Sequence, residues 1–119
     1  QRLERERLLD HQYEQARIPA IEQARHRYVA DQLRERLTRD LENYVAASRM
    51  REFANAVQAQ HPGNTDWVAF IRSEADARDP VKDSRSLPDV APPTGPALEP
   101  YLREWPEHRP WHWSPTEGF

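Results

Sequence analysis

The C-terminal segment of the sequence holds the side chains best suited to metal chemistry. Glu107, His108 and His112 lie among tryptophans, and two histidines four residues apart on a helix can bind one metal ion. Pro106 and Pro110 flank and interrupt this run, and Pro110 disfavours the helix that the spacing requires. We therefore predict no metal site here and no cofactor for the chain.

A second pair of reactive groups lies further upstream. Asp76 and Asp79 are three residues apart near the end of a predicted helix, a spacing that would suit paired carboxylates in acid–base catalysis. Asp79 precedes Pro80, which favours a role in the turn, and Asp76 is expected to bond to a neighbouring backbone group or to Arg78. We predict no catalytic residue and no enzyme activity, while a fragment that completes an enzyme assembly stays open.

Three of the four tryptophans, Trp105, Trp111 and Trp113, lie within nine residues. Exposed tryptophans can stack on single-stranded nucleic acid or on a sugar, but a basic groove should accompany them, and residues 97–119 hold more acids than bases. Tryptophan also buries a large apolar area at low cost in side-chain entropy. The favoured interpretation is a strap packed across a helical hairpin, and docking on a partner protein is the next alternative.

Composition limits the fold and the partners. Of 119 residues, 37% are hydrophobic and 31% are charged, which leaves material for one small core. A net charge of −3 gives no general attraction to nucleic acid or anionic lipid, and acids interleave with the arginines of the N-terminal half. The sequence has no cysteine and no apolar run near the roughly 20 residues that cross a bilayer. We expect a cytoplasmic protein without a membrane partner.

The N-terminal half predicts a long charged helix. Its first sixty residues contain one proline, no glycine, and many residues with high helix propensity. Pro19 removes a backbone donor and disfavours helical geometry at the residue before it, so we expect a kink or a boundary near Ile18. The chain begins inside a helix-forming run, so residues 1–40 are interpreted as an arm that continues from upstream sequence. A protein partner or a homo-oligomer is expected to bind through this charged arm.

Apolar residues follow helical spacing along the predicted long helix, but the apolar stripe moves to a different face of the helix near Ala46 and Ala47. Steps of 100° per residue place two groups on roughly opposite sides: Leu33, Leu37, Leu41, Tyr44 and Val45 on one, and Met50, Phe53, Ala54 and Val57 on the other. This pattern indicates a partner helix beside the first group and a small packed domain beside the second.

A hairpin is predicted after this helix. His61, Pro62 and Gly63 should end the first helix, and Asn64 or Thr65 should begin a second one over residues 65–78. The apolar face of the second helix, Trp67, Phe70, Ile71 and Ala75, should fold onto Met50, Phe53 and Val57. The predicted fold is all-α, with a charged helical arm at 1–40, a helical hairpin at 41–80 and a Pro/Trp-rich strap or tail at 81–119.

Two motifs lie within roughly residues 40–115. The first follows the pattern W-x-x-W/F-x-x-x-x-A-D-x-x-D-P through Trp67, Phe70, Ala75, Asp76, Asp79 and Pro80, preceded by the helix from Met50 to Val57. The second is similar to L-x-P-x-L-x-x-W followed by W-x-P, through Leu98, Pro100, Leu102, Trp105, Trp113 and Pro115. Through these motifs the sequence resembles the C-terminal helical region of large, uncharacterised multidomain bacterial proteins. Tyr44 stands where that family usually has Trp, and Glu74 where it often has Tyr. The resemblance implies a C-terminal helical module and no activity or substrate.

The sequence thus predicts a non-catalytic helical interaction or assembly module, the C-terminal part of a larger intracellular bacterial protein. The alternative is an accessory nucleic-acid-associated domain of a DNA- or RNA-processing, mobile-element or defence system. A gel-shift or anisotropy titration at two salt concentrations separates them. The residues expected to pack or to contact a partner are Tyr44, Met50, Phe53, Val57, Trp67, Phe70, Ile71, Trp105, Trp111 and Trp113.

Overall fold

The computed structural model describes residues 1–115 and has an all-α fold, as predicted. It contains three α-helices, α1 (Arg2–Gln60), α2 (Thr65–Arg78) and the single turn α3 (Gly95–Leu98). Two 3₁₀ turns lie at Pro80–Asp83 and Glu99–Leu102. No strand occurs among the described residues. The end of the predicted tail, residues 116–119, lies outside this part of the chain.

Helix α1 continues through its only proline. Pro19 lies inside the helix, so the predicted boundary near Ile18 is wrong. One internal proline costs about 3 kcal/mol, but α1 contains no glycine and consists mainly of residues that favour a helix on both sides of Pro19. Its C-terminal end is as predicted: the His61 amide donates to the Val57 carbonyl at 2.7 Å, and Pro62 and Gly63 follow.

Helix α2 has the bounds that the sequence predicted, 65–78. Asn64 occupies the N-cap position without a side-chain hydrogen bond to the helix. At the other end, the Asp79 amide donates to the Ala75 carbonyl at 2.9 Å, and its carboxylate accepts from the Val81 amide at 3.0 Å. Asp79 therefore ends α2 and begins the 3₁₀ turn, which confirms its predicted role in the turn.

The contacts divide the chain into two compact units. The hairpin unit comprises residues 33–89, and the clasp unit comprises residues 1–32 together with the described residues from Val90 onward. This grouping differs from the predicted segments 1–40, 41–80 and 81–119, because the tail belongs with the first half of α1. Residues 81–89 belong with the hairpin.

The core of the hairpin unit is built from small and aliphatic side chains. Ala54, Val68 and Ile71 form a buried cluster, and Met50 and Val57 pack against it as predicted. The alanines that face this core are fully buried: Ala47, Ala54 and Ala75. Alanine at these positions allows the two helices to approach closely.

Three aromatic side chains expected in this core are exposed instead, namely Phe53, Trp67 and Phe70. The prediction assigned the largest apolar residues to the core. In the structure Val68, one residue after Trp67, takes the buried position, because the face of α2 that meets α1 contains Val68, Ile71 and Ala75.

The clasp unit packs the tail on the first half of α1. Tyr13 and Ala24 are buried on the helix, and Leu98 is buried on the tail. The predicted strap across the hairpin is therefore wrong, since the tail's aromatic contacts are with residues 13 and 28 of α1. Tyr13 belongs to a helical stripe with Ala16 and Ala20, which are both partly buried.

Candidate functional site

The hairpin unit exposes one apolar stripe on α1. Leu37, Leu41, Tyr44 and Val45 are 45–58% exposed and follow helical spacing. These residues form the side of α1 that the sequence assigned to a partner helix, and they are separate from the buried core positions Ala47 and Ala54. We call these four residues the apolar stripe.

A groove of about 270 Å³ adjoins the apolar stripe. Leu33 and Leu37 line it from α1, and Leu87 and Pro88 line it from the segment after α2. Leu87 is itself exposed. The groove therefore adds apolar surface beside the stripe, and polar side chains complete its lining: Arg36, Asp40, Asp83, Ser84 and Ser86.

A network of polar side chains closes one edge of the hairpin. The Arg51 guanidinium donates to Asp76 at 2.9 Å and to Asp79 at 2.8 Å. Hydrogen bonds to Asp76 and Asp79 raise the pKa of Arg51. The pKa of Asp79 is lowered, mainly by the hydrogen bond from the Val81 amide and next by the one from Arg51. Both carboxylates thus serve an ion pair between the helices, whereas the sequence expected Asp76 to bond to nearby backbone or to Arg78.

Further contacts extend this edge along α2. Arg72 donates to Asn55 at 3.1 Å and to Gln58 at 2.7 Å. Together with Arg51, Asp76 and Asp79 these residues form the polar edge of the hairpin. Arg78, the expected partner of Asp76, donates to Asn43 at 3.1 Å.

The opposite edge of the hairpin is aromatic. Phe53 directly precedes the buried Ala54, and Phe70 directly precedes the buried Ile71. Because each residue turns a helix by 100°, both phenylalanines lie to the side of the buried face that is away from the polar edge. The rings of Trp67 and Phe70 stack with centroids 5.8 Å apart and an interplanar angle of 8°. Trp67 remains 46% exposed. Phe53, Trp67 and Phe70, which the sequence analysis predicted in the core, therefore share an exposed edge of the hairpin.

In the clasp unit, Tyr13 lies between two tryptophans of the tail. Its ring stacks on Trp105 at 5.7 Å and meets Trp113 edge-on at 5.2 Å. The Tyr13 hydroxyl donates to the Pro106 carbonyl at 2.5 Å, and Arg17 donates to the Trp105 carbonyl at 3.0 Å. Burial raises the pKa of Tyr13, and the nearby Arg17 partly opposes that shift. Of the three tail tryptophans, Trp105 and Trp113 are brought together here.

Trp111 is 91% exposed and contacts the ring of His112 instead. A second tail contact lies further along α1: Tyr101 donates to Asp31 at 2.5 Å and meets Tyr28 edge-on at 6.3 Å. The guanidinium of Arg27 lies 5.3 Å from the centre of the Tyr101 ring. Tyr13, Tyr28 and Tyr101 therefore all take part in tail docking.

Sequence reasoning missed Tyr13, Tyr28 and Tyr101 as docking residues. The available signal was the position of Tyr13 in a helical stripe with Leu9, which indicated an apolar face without indicating what covers it. An ion pair at 2.6 Å between Arg109 and Asp10 adds to the same interface. No local pattern in the sequence links positions so far apart.

The described residues hold no group of three or more histidine, aspartate or glutamate side chains placed to bind a metal ion. Within residues 1–115, none of the helices combines the length and the apolar character needed to cross a membrane. The chain matches no protein-family model, no curated protein and no solved structure. The resemblance to a bacterial C-terminal region therefore stays a prediction.

Proposed function

We propose that this chain is a non-catalytic helical interaction module whose hairpin unit binds a protein through the apolar stripe. The observation that carries the proposal is the exposure of Leu37, Leu41, Tyr44 and Val45, four large apolar side chains at helical spacing. Contiguous apolar surface of this kind marks interaction sites in folded proteins.

The size of the stripe indicates what a partner must cover. Complete burial of a large apolar side chain is worth about 2 kcal/mol, so burying the exposed half of four of them yields about 4 kcal/mol. Association itself costs at least about that much. A partner must therefore also cover flanking surface, such as the groove formed by Leu33, Leu87 and Pro88.

The carboxylates that suggested catalysis support a structural interpretation. Asp76 and Asp79 both bind Arg51, and Asp79 also holds the turn after α2. Carboxylates that stabilise a helix–helix contact in this way have a role that does not require a reaction. This arrangement favours a binding module over an enzyme.

We also propose that the module forms the C-terminal part of a larger intracellular bacterial protein. Support comes from the resemblance described above and from the absence of cysteine, which fits a reducing compartment. The nucleic-acid alternative has less support, because Trp105 and Trp113 pack on Tyr13 and so do not form an exposed stacking surface. Salt-dependent binding of an oligonucleotide in an anisotropy titration would favour that alternative.

Site-specific photocrosslinking of the full chain in cells tests the proposal. A photoreactive amino acid at Leu41 lies within the stripe, while one at Arg39 is also exposed but points about 160° away around α1. Binding through the stripe predicts a protein adduct from position 41 and none from position 39. Equal labelling at the two positions, or no adduct at position 41, would refute it.

A further inference from the structure

We propose that the protein which covers the apolar stripe is a second copy of this chain, related by a two-fold axis so that the two α1 helices run antiparallel. This inference rests on the proposed function and names its partner. A two-fold interface uses the same patch on both copies, so residue i of one copy contacts residue j of the other and the reverse. The patch must therefore be complementary to itself.

The spacing of the apolar side chains meets this requirement. Leu37 and Val45 lie four residues on either side of Leu41, and all three are exposed. An axis beside Leu41 brings the Leu41 side chains of the two copies together. It also places Leu37 of each copy against Val45 of the other, because antiparallel helices pair residues at equal distances from the axis.

The charges that flank the stripe give an independent indication. Glu35, Glu42 and Arg49 are exposed and lie seven residues apart, so they follow one line along α1. Antiparallel pairing places Glu35 of each copy beside Arg49 of the other. Parallel pairing would instead put this line of charges on opposite edges of the interface in the two copies, so Glu35 and Arg49 could not pair with each other.

The spacing of the apolar side chains and the spacing of the charged side chains place the two-fold axis at nearly the same point along α1. The midpoint of Leu37 and Val45 is residue 41, and the midpoint of Glu35 and Arg49 is residue 42, a difference of about 1.5 Å along the helix. Glu42 then lies beside Glu42 of the second copy, which is the unfavourable contact in the arrangement. That contact limits the affinity and provides a test of the axis.

The length of the paired region sets the expected strength. From Glu35 to Arg49 the helix spans about 21 Å, and fewer residues take part than the 20–30 per partner of a standard interface. The dimer should therefore be weak, with a dissociation constant on the order of 10 µM, and concentration should control its population.

Analytical ultracentrifugation of the full chain from about 1 µM to about 500 µM measures this equilibrium. We expect the change from monomer to dimer across that range, and Leu41→Glu should leave a monomer with unchanged helix content because Leu41 is exposed. Phe53→Glu is the matched control, since it changes an equally exposed side chain outside the stripe and should leave the dissociation constant within about twofold.

Charge reversal tests the direction of pairing. Glu35→Arg alone should weaken the dimer several-fold, and Glu35→Arg combined with Arg49→Glu should restore it, because the pair is re-formed with its signs exchanged. Glu42→Gln should tighten the dimer by removing repulsion at the axis. A double variant no tighter than the single one would overturn the antiparallel arrangement.

Disulfide formation gives a second measure of direction, because the chain has no cysteine of its own. Leu37→Cys mixed with Val45→Cys should yield more crosslinked dimer than either variant alone, and Leu41→Cys should crosslink to itself. Preferential self-crosslinking of Leu37→Cys would indicate parallel helices and refute the proposal.

The outcomes separate this inference from the proposed function. A chain that stays monomeric at the highest concentration overturns the dimer. In that case a photocrosslink from position 41 to a different protein still supports the interaction module. Absence of any protein adduct at position 41 overturns both.

Discussion

Tyr13 should be the residue on which tail docking depends most. It is 2% exposed, contacts the rings of Trp105 and Trp113, and donates a hydrogen bond to Pro106. Tyr13→Ala removes the central ring of this cluster and one hydrogen bond together. We expect the tail to detach from α1 while the hairpin unit keeps its fold.

The magnitude follows from the buried area. An aromatic side chain of this kind buries at least about 150 Å², and at about 25 cal/mol per Å² this gives about 4 kcal/mol. Measured losses for buried aromatic residues changed to alanine lie at about 3–5 kcal/mol. Tyr13→Phe keeps the ring contacts and loses only the hydrogen bond, so it should cost about 1 kcal/mol.

Urea unfolding followed by tryptophan fluorescence measures these losses in the full chain. Trp67→Phe and Trp111→Phe in the background restrict the signal to Trp105 and Trp113, the two indoles that contact Tyr13. Leu8→Ala, an exposed change on the same helix, is the control and should alter stability by less than about 0.5 kcal/mol. A loss for Tyr13→Ala as small as that of the control would refute the packing of Tyr13 between Trp105 and Trp113.

Three further predictions concern pH and the hairpin. Because the pKa of Tyr13 is raised in the folded state, tail docking should be fully stable below about pH 10 and weaken as pH rises through the folded pKa, and Tyr13→Phe should remove this step in a fluorescence titration. Because the pKa of Asp79 is lowered, its contribution should be present above about pH 4 and be lost as pH falls through the folded pKa; Asp79→Asn should flatten this part of the urea-midpoint profile, and an unchanged profile would contradict the assignment. Ile71→Ala should destabilise the hairpin by about 2–5 kcal/mol, and the half-exposed Trp67→Ala by less than about 2 kcal/mol, in thermal unfolding followed by circular dichroism; the reverse order would place Trp67 in the core.

The hairpin was predictable because its signals are local. The Pro62–Gly63 pair ends α1, and the bounds of α2 follow from Asn64 at one end and Asp79–Pro80 at the other. A proline acts within a few positions of itself through its fixed φ angle, and Asp79 acts through its side-chain hydrogen bond to the nearby Val81 amide. Such effects need no knowledge of tertiary contacts.

The position of the tail could not be predicted in this way. Tyr13 contacts Trp105 and Trp113 across about ninety residues of sequence, and helical spacing around Tyr13 shows an apolar face without naming its occupant. The predicted helix boundary near Pro19 was wrong for a related reason. A single proline has a local cost, whereas whether the helix continues depends on all the residues around it.

The hairpin unit buries alanines between its helices and exposes aromatic side chains, and this arrangement links the fold to the proposed binding function. Ala47, Ala54 and Ala75 bring α1 and α2 close together, but alanine buries little apolar area, so the hairpin gains less from its core than larger side chains would give. Several large apolar side chains, among them Leu41, Phe53 and Phe70, remain more than half exposed, where they can stabilise a contact with another molecule. A partner that binds the folded hairpin must then add to its stability, so the unfolding midpoint of the hairpin unit should depend on protein concentration if that partner is a second copy.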